Sequence, residues 1–446
     1  MFSLPRAPRG PRALGNPLVK AVALAAVLLA VLPTTALAHA VLLRATPSSS
    51  QSLEQAPAQV QLLFSEPLDP VFSQVQVVNA AGQRVDAADS HVDPDDDRLL
   101  VCSLQPALPN GMYTVVWRNL SAIDVHPDQG QFPLFVGVPV TQPTVAATGL
   151  TTTATPETTF GRWWFYIAAS LFGGVLATWK LVLGPAIADT DAAARVHRYA
   201  FRLILTGGVL LIVGTLFTAV AQAASAANVP LLQGFGQPLG DLLLRGRFAA
   251  IWWPRLGLEV ASLLLIALGG IDGLASECAL ATLPAVLLTS ALTSHGAALP
   301  EGTAPGIAID WLHIVGATTW VGGLIALAAV LPVVRGAAPV GPKVVGRFAR
   351  LALIASLAVL LSGVLQGALE VGSWSSLLTT LYGQFLVLKT VLLTVMLALA
   401  GLNEWRRRAP GGLVGLERGV RAELALGVVV FGVAAMLSGT PPTPIS

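Results

Sequence analysis

The hydrophobic period of the chain changes twice, and each change marks a boundary. Residues 39–137 alternate apolar and polar side chains over short runs, as in Val75-Gln76-Val77-Val78 and Met112-Tyr113-Thr114-Val115-Val116-Trp117, with Pro, Gly and Asn between them. A period of two broken by turn residues predicts short antiparallel strands, hence a small all-β domain of Greek-key sandwich or barrel type. Residues 138–160 are rich in Thr, Pro, Ala and Val without any period and predict a flexible linker. Beyond Gly161, apolar runs recur at about the 20 residues needed to cross a hydrocarbon core. They predict an all-α polytopic domain over residues 161–442. Its roughly eight helices are expected at Trp163–Ala186, Ala200–Ala224, Trp252–Gly270, Glu277–Ser294, Ile307–Pro332, Arg347–Leu369, Tyr382–Leu402 and Val420–Gly439. Residues 1–38 fit a signal peptide. Arg6, Arg9, Arg12 and Lys20 precede the apolar run Ala21–Leu32, and Ala36 and Ala38 supply the small residues of a cleavage site.

Composition agrees with a chain that lies mostly in a bilayer: 54% of residues are hydrophobic and 11% charged, and the mean hydropathy is +0.71. A net charge of +2 gives no electrostatic support for binding nucleic acid. With the β-domain exported, an even number of crossings returns the C-terminus to the same side. The cytoplasmic connections then hold Arg195, Arg198 and Arg202, then Arg335, Lys343, Arg347 and Arg350, then Arg406, Arg407, Arg408, Arg418 and Arg421, as the positive-inside rule expects. Arg245, Arg247 and Arg255 fall on the outer side, either capping the third helix or flanking an external vestibule. Cys102 and Cys278 lie in different predicted domains and are not expected to pair.

Cleavage after Ala38 would leave His39 as the first residue, offering an α-amine and an imidazole to one ion. Two bland alternatives stand beside this: the histidine merely follows the site, or the segment stays uncleaved as an anchor. The segment Ser121-Ala122-Ile123-Asp124-Val125-His126 supplies two more donors. In an extended stretch, residues i and i+2 share a face, so Asp124 and His126 are expected to point together. A carboxylate, two imidazoles and an amine suit Cu(II), whereas Cu(I) prefers sulfur.

The stretches His39-Ala40-Val41-Leu42-Leu43-Arg44-Ala45-Thr46-Pro47 and Pro57-Ala58-Gln59-Val60-Gln61-Leu62-Leu63-Phe64-Ser65-Glu66-Pro67, with the Asp124/His126 pair, resemble the periplasmic copper-binding CopC family. The resemblance implies that His39, Asp124 and His126 form a Cu(II) site, with Glu66 close by in support or simply a solvated acid at a strand end. The methionine-rich Cu(I) site of some members is not available, because Met112 is the one methionine between residues 39 and 137. His91 among Asp89, Asp93, Asp95, Asp96 and Asp97 is expected to be an exposed acidic loop, with a loose secondary metal site as the alternative.

In the helical half, His295 ends the fourth predicted helix, and Asp310 and His313 share one face of the fifth as i, i+3 neighbours. Ionisable groups in membrane helices are costly and functional by default, so all three are candidates, His295 and His313 as ligands and Asp310 in support. Interfacial hydrogen bonding is the alternative for either histidine. Lys389 and Glu423 are expected to form an ion pair, and Glu370 to be interfacial. Asp310-Trp311-Leu312-His313 through Trp320-Val321-Gly322-Gly323-Leu324, Arg347-Phe348-Ala349-Arg350-Leu351-Ala352, Tyr382-Gly383-Gln384-Phe385-Leu386-Val387-Leu388-Lys389 and Arg421-Ala422-Glu423-Leu424 resemble the CopD-type copper-resistance membrane domain.

Together the resemblances imply a copper-homeostasis protein of a bacterial cytoplasmic membrane, not an enzyme, with its N-terminal domain on the periplasmic or extracellular side. It would capture Cu(II) outside and import or relay copper, with Cu(I) a further expectation in the membrane domain. Its partners would be the copper ion, the lipid bilayer and other copper chaperones or cuproproteins. The rival readings are a non-transporting delivery or sensing protein, and a copper oxidase or monooxygenase built on two histidines.

Overall fold

The computed structural model describes residues 40–140, 149–150, 155–188, 190–298, 303–334, 340–371, 374–408 and 415–440. The expected signal peptide, residues 1–38, and His39 lie outside the described residues. Nine strands come first: β1 (Leu42–Thr46), β2 (Ser52–Leu53), β3 (Gln59–Phe64), β4 (Gln74–Asn79), β5 (His91–Val92), β6 (Leu99–Ser103), β7 (Gly111–Leu120), β8 (Pro127–Val136) and β9 (Gly149–Leu150). They form two sheets, ordered β1-β3-β6-β5 and β2-β8-β7-β4, with β9 added to β8. The alternation read in the sequence becomes their shared core. Val60, Leu62 and Phe64 of β3 are fully buried with Val115 and Trp117 of β7, each contributing about 1.5–3 kcal/mol of hydrophobic burial. Phe64 meets Trp117 edge-on at 5.2 Å. Gly130 lies opposite Trp117 across the β7–β8 pair; a methyl there would sit 2.5 Å from the indole. Cys102 is buried in β6 and Cys278 is exposed among the helices, both with free thiols. Burial pushes the Cys102 thiol up to about 12, which makes it inert toward metals and oxidants.

Eight helices long and apolar enough to cross a membrane follow: α1 (Pro156–Ile187), α2 (Ala193–Ala227), α3 (Gly246–Gly269), α4 (Leu274–Ala291), α5 (Thr303–Val334), α6 (Val340–Glu370), α7 (Leu381–Arg408) and α8 (Leu416–Leu437). Each matches one expected helix. α1 starts earlier than expected, taking Pro156–Phe160 from the linker, because Thr155 caps it by accepting from the Thr158 N–H. α1 and α5 cross where Gly174 faces Gly322; a methyl on either would run into the other helix's backbone. Two small residues thus set a close approach that larger side chains would prevent.

The helices alternate in direction. The ends of α2, α4 and α8 and the starts of α1, α3 and α5 gather beneath the β-domain, as the contacts below show. Arg195, Arg198, Arg202, Arg350, Arg406, Arg418 and Arg421 belong to the opposite ends of α2, α6, α7 and α8. An even number of crossings therefore returns residue 438 to the β-domain face, as expected.

The β-domain is not simply tethered above the helices: it is docked on them. Phe72, Leu120 and Val125 form one buried cluster with Ala223 and Ala226 of α2 and Leu242 of the following short helix. Arg118 Nη1 donates to the Ala227 carbonyl at 2.6 Å, satisfying an end carbonyl of α2, and Gln222 Nε2 donates to the Val125 carbonyl at 2.6 Å.

Candidate metal centre

The loop between β7 and β8 carries the first two donors. The Ser121 N–H bonds the His126 carbonyl at 3.1 Å and closes the loop. Inside it, Ser121 Oγ accepts from the Ile123 and Asp124 N–H groups at 3.0 and 3.2 Å and donates to Glu66 Oε2 at 2.5 Å. Glu66, buried at 4% exposure, is therefore no solvated acid: it fixes the hydroxyl that shapes the loop. Asp124 Oδ1 accepts the His126 N–H at 3.1 Å.

Asp124 and His126 do point together, but not by strand alternation. Val125 between them has φ +60°, a conformation costly for a β-branched residue. Its burial against Ala223 and Ala226 and the Gln222 bond to its carbonyl hold it there. The pairing read as extended is a turn that the membrane domain helps to maintain.

His126 Nδ1 lies 3.1 Å from Asp124 Oδ2. Its Nε2 lies 2.9 Å from Arg162 Nη2 of α1 and 3.1 Å from the Ser438 carbonyl beyond α8. The third donor comes from the helices. His295 opens a short turn, His295–Ala298, after α4; its Nδ1 is 4.0 Å from Asp124 Oδ2. Its ring stacks on His126 at 5.3 Å and 29°. One ligand atom from each of Asp124, His126 and His295 lies within 4.8 Å of the others, and the three are buried at 1%, 7% and 5% exposure. One carboxylate and two imidazoles, all buried, suit a borderline divalent ion such as Cu(II).

Ala40 is tied to the end of β7, just ahead of this loop. It is 1% exposed, and Asn119 Nδ2 donates to its carbonyl at 2.8 Å. The Val41 N–H is bonded to Ser65 Oγ at 2.9 Å.

The other candidates are distributed as follows. Asp310 Oδ2 accepts from Ser294 Oγ and so braces the turn that carries His295. His313 is not in the cluster: its Nδ1 bonds Ser362 Oγ at 3.1 Å between α5 and α6. An i, i+3 spacing puts both residues on one side of α5, but the turn after α4 covers Asp310 and α6 covers His313. Glu370, the last residue of α6, is buried and bound by Tyr382 Oη and by Gln366 Nε2. The expected Lys389–Glu423 pair is not formed. Glu423 accepts from Trp320 Nε1 and Asn403 Nδ2 at 3.1 and 3.0 Å, while Lys389 interacts electrostatically with Glu370 and Asp310. At about 1.5 Å per residue, Lys389 lies about 12 Å from the β-domain end of α7 and Glu423 about 21 Å from that end of α8, at different depths. His91 Nδ1 is engaged by the Asp89 carbonyl at 2.7 Å. Arg247 and Arg255 bond the Leu292 carbonyl and Thr289 Oγ1 near the end of α4, and Arg255 lines a cavity of about 110 Å³ that also reaches Asp124 and His126.

Arg162 and Asn119 were not singled out in the sequence. A lone cation in the first turns of a membrane helix at its non-basic end was a usable signal for Arg162; a polar residue inside a strand gave none for Asn119.

Two family models match the chain, the CopC domain over residues 42–137 and copper resistance protein D over residues 342–437. The chain thus carries a CopC match and a copper resistance protein D match in one polypeptide. It is 29% identical over 427 residues to the copper transport protein CutJ of Bacillus subtilis (strain 168), covering 93% of this chain and 76% of that protein. The CopC part alone is 27% identical over 99 residues to protein YobA of Escherichia coli (strain K12), covering 22% of this chain and 79% of that protein. Among solved structures, CopC from Methylosinus trichosporium OB3b is 28% identical, with a TM-score of 0.21, over 22% of this chain and 93% of that one. PcoC, a methionine-rich copper resistance protein from Escherichia coli, is 31% identical, with a TM-score of 0.20, over 22% of this chain and 99% of that one. With eight long apolar helices, the chain is a multi-pass membrane protein similar to copper-resistance and copper-transport proteins.

Proposed function

We propose that the CopC half captures Cu(II) outside the membrane through His39, Asp124 and His126 and hands it to His295 of the helical half for import. The observation that supports this reading most is that His295 meets Asp124 and His126 in one buried cluster, although 169 residues separate it from His126. A donor from the membrane half within reach of the capture ligands allows exchange one ligand at a time, so the ion need not pass through water. Glu66, Ser121 and Asn119 hold the capture loop and the chain after His39; Asp310 holds the receiving turn. The basic helix ends opposite the β-domain support an external position for that domain by the positive-inside rule.

Cellular copper content tests the direction. Uptake predicts less copper in cells lacking the protein under limitation than in cells carrying it. More copper in the deletion strain under copper load would reverse the direction to efflux.

A second expectation concerns His39. A single Ala inserted between Ala38 and His39, with cleavage unchanged, turns the chelating amine into an amide. Cu(II) affinity of the purified full chain should fall by about 100-fold or more, on the scale of losing a ligand. Parental affinity in that protein, with the new terminus verified by mass spectrometry, would remove the terminal chelate.

A further inference from the structure

His126 Nε2 faces two groups that it cannot serve together. Arg162 Nη2 at 2.9 Å can only donate, and the Ser438 carbonyl at 3.1 Å can only accept. A neutral imidazole has one N–H, so each choice fixes the other nitrogen. With Arg162 donating to Nε2, the proton sits on Nδ1 and points at Asp124 Oδ2, 3.1 Å away. With the proton on Nε2 and given to Ser438, the Nδ1 lone pair faces the Asp124 carboxylate.

We infer that Arg162 is the release element of the copper site: it and the ion compete for His126, and docking of the β-domain on α1 brings the competitor in. The inference rests on the proposed capture site. Metal held through Nδ1 requires the second tautomer, in which a guanidinium cannot stay against an N–H. Metal held through Nε2 requires the position Arg162 occupies. By either nitrogen, loading displaces Arg162 and return of Arg162 expels the ion. The proton balance closes without a co-reactant: for metal on Nδ1 the one proton moves from Nδ1 to Nε2 on loading and back on release, and for metal on Nε2 it stays on Nδ1 throughout.

Charge works in the same direction. The guanidinium is a permanent cation that interacts electrostatically with Asp124 and takes the ion's place as its counter-charge. Arg162 has room to withdraw: it lines the 110 Å³ cavity with Tyr166, Gln222 and Thr293, and its Nη1 is buried without a hydrogen bond among the described residues. Because His126 belongs to the β-domain and Arg162 to α1, the competition exists in the docked state alone. Docking also brings His295 to 4.0 Å from Asp124. The same movement weakens the old ligand set and presents the next one.

The test uses the full chain purified in detergent, titrated with Cu(II) against a competing chelator. Arg162→Gln should bind Cu(II) about tenfold or more tightly and release it correspondingly slower, since one adjacent charge moves a ligand nitrogen's affinity by that order. Arg162→Lys, still a cationic donor, should return both toward parental values. Nitrogen-15 spectra of the metal-free proteins give a second readout that a packing role would not move: His126 should be protonated on Nδ1 in the parent and on Nε2 in Arg162→Gln. Parental affinity, release and tautomer in Arg162→Gln would overturn the inference while leaving the capture site standing. Parental Cu(II) affinity in Asp124→Asn would overturn the capture site, and the inference with it.

Discussion

Replacing His295 by Ala is expected to reduce copper accumulation to the level of cells lacking the protein, while the purified variant still binds Cu(II). The imidazole is 5% exposed and stacks on His126, yet it sits on a turn after α4 that Asp310 holds through Ser294. Its removal leaves Asp124, the loop bonds to Ser121 and the Ala40 anchor in place, so capture persists and transfer has no acceptor. Mass action cannot replace a missing step in a path, so raised external copper should not restore accumulation. His313→Ala is the matched control for the cluster. Its ring is bonded to Ser362 away from Asp124, and Cu(II) affinity of the purified protein should stay parental. Accumulation at the parental rate by a normally inserted His295→Ala protein would make His295 a packing residue and place the handover elsewhere.

Asp124→Asn is expected to lower Cu(II) affinity by about 100-fold or more, on the scale of losing a ligand, and to leave the fold intact. Asn keeps an oxygen to accept the His126 N–H, the bond that Asp124 Oδ1 makes at 3.1 Å, so the turn survives. What disappears is the negative charge beside His126 and His295. In contrast to His295→Ala, accumulation should recover at high external copper, because a weak capture site fills when the ion concentration rises. Isothermal titration of the purified protein and a copper-dose series in cells separate the two variants. Unchanged affinity in Asp124→Asn would exclude the carboxylate as a ligand.

The two variants divide the site by origin, and that division follows what a sequence can convey. Alternation in β3 and β7 and apolar runs of membrane length are local patterns, and local patterns survive into the fold. Both sheets of the β-domain and all eight long helices were therefore legible, as were Asp124 and His126, which are two residues apart. The reason for their convergence was not. Strand alternation was the available local rule, whereas a left-handed Val125 depends on Gln222, Ala223 and Ala226, about a hundred residues away.

The sequence by itself determined the two-part architecture, the even number of crossings and the residue types able to hold copper, because hydrophobic period and donor chemistry are properties of short segments. The tertiary structure alone decided the partners. Asp310 and His313, one turn apart on α5, were read together and part company because the turn after α4 meets one and α6 the other. Lys389 and Glu423 lie on neighbouring helices at different depths, and Glu423 is bound by Trp320 and Asn403 instead. His295 joins the β-domain donors, and Arg162 reaches His126, because the β-domain docks on the helices instead of hanging free. Contacts of this kind depend on how two separately coded surfaces fit, and no period or spacing within either half specifies that fit.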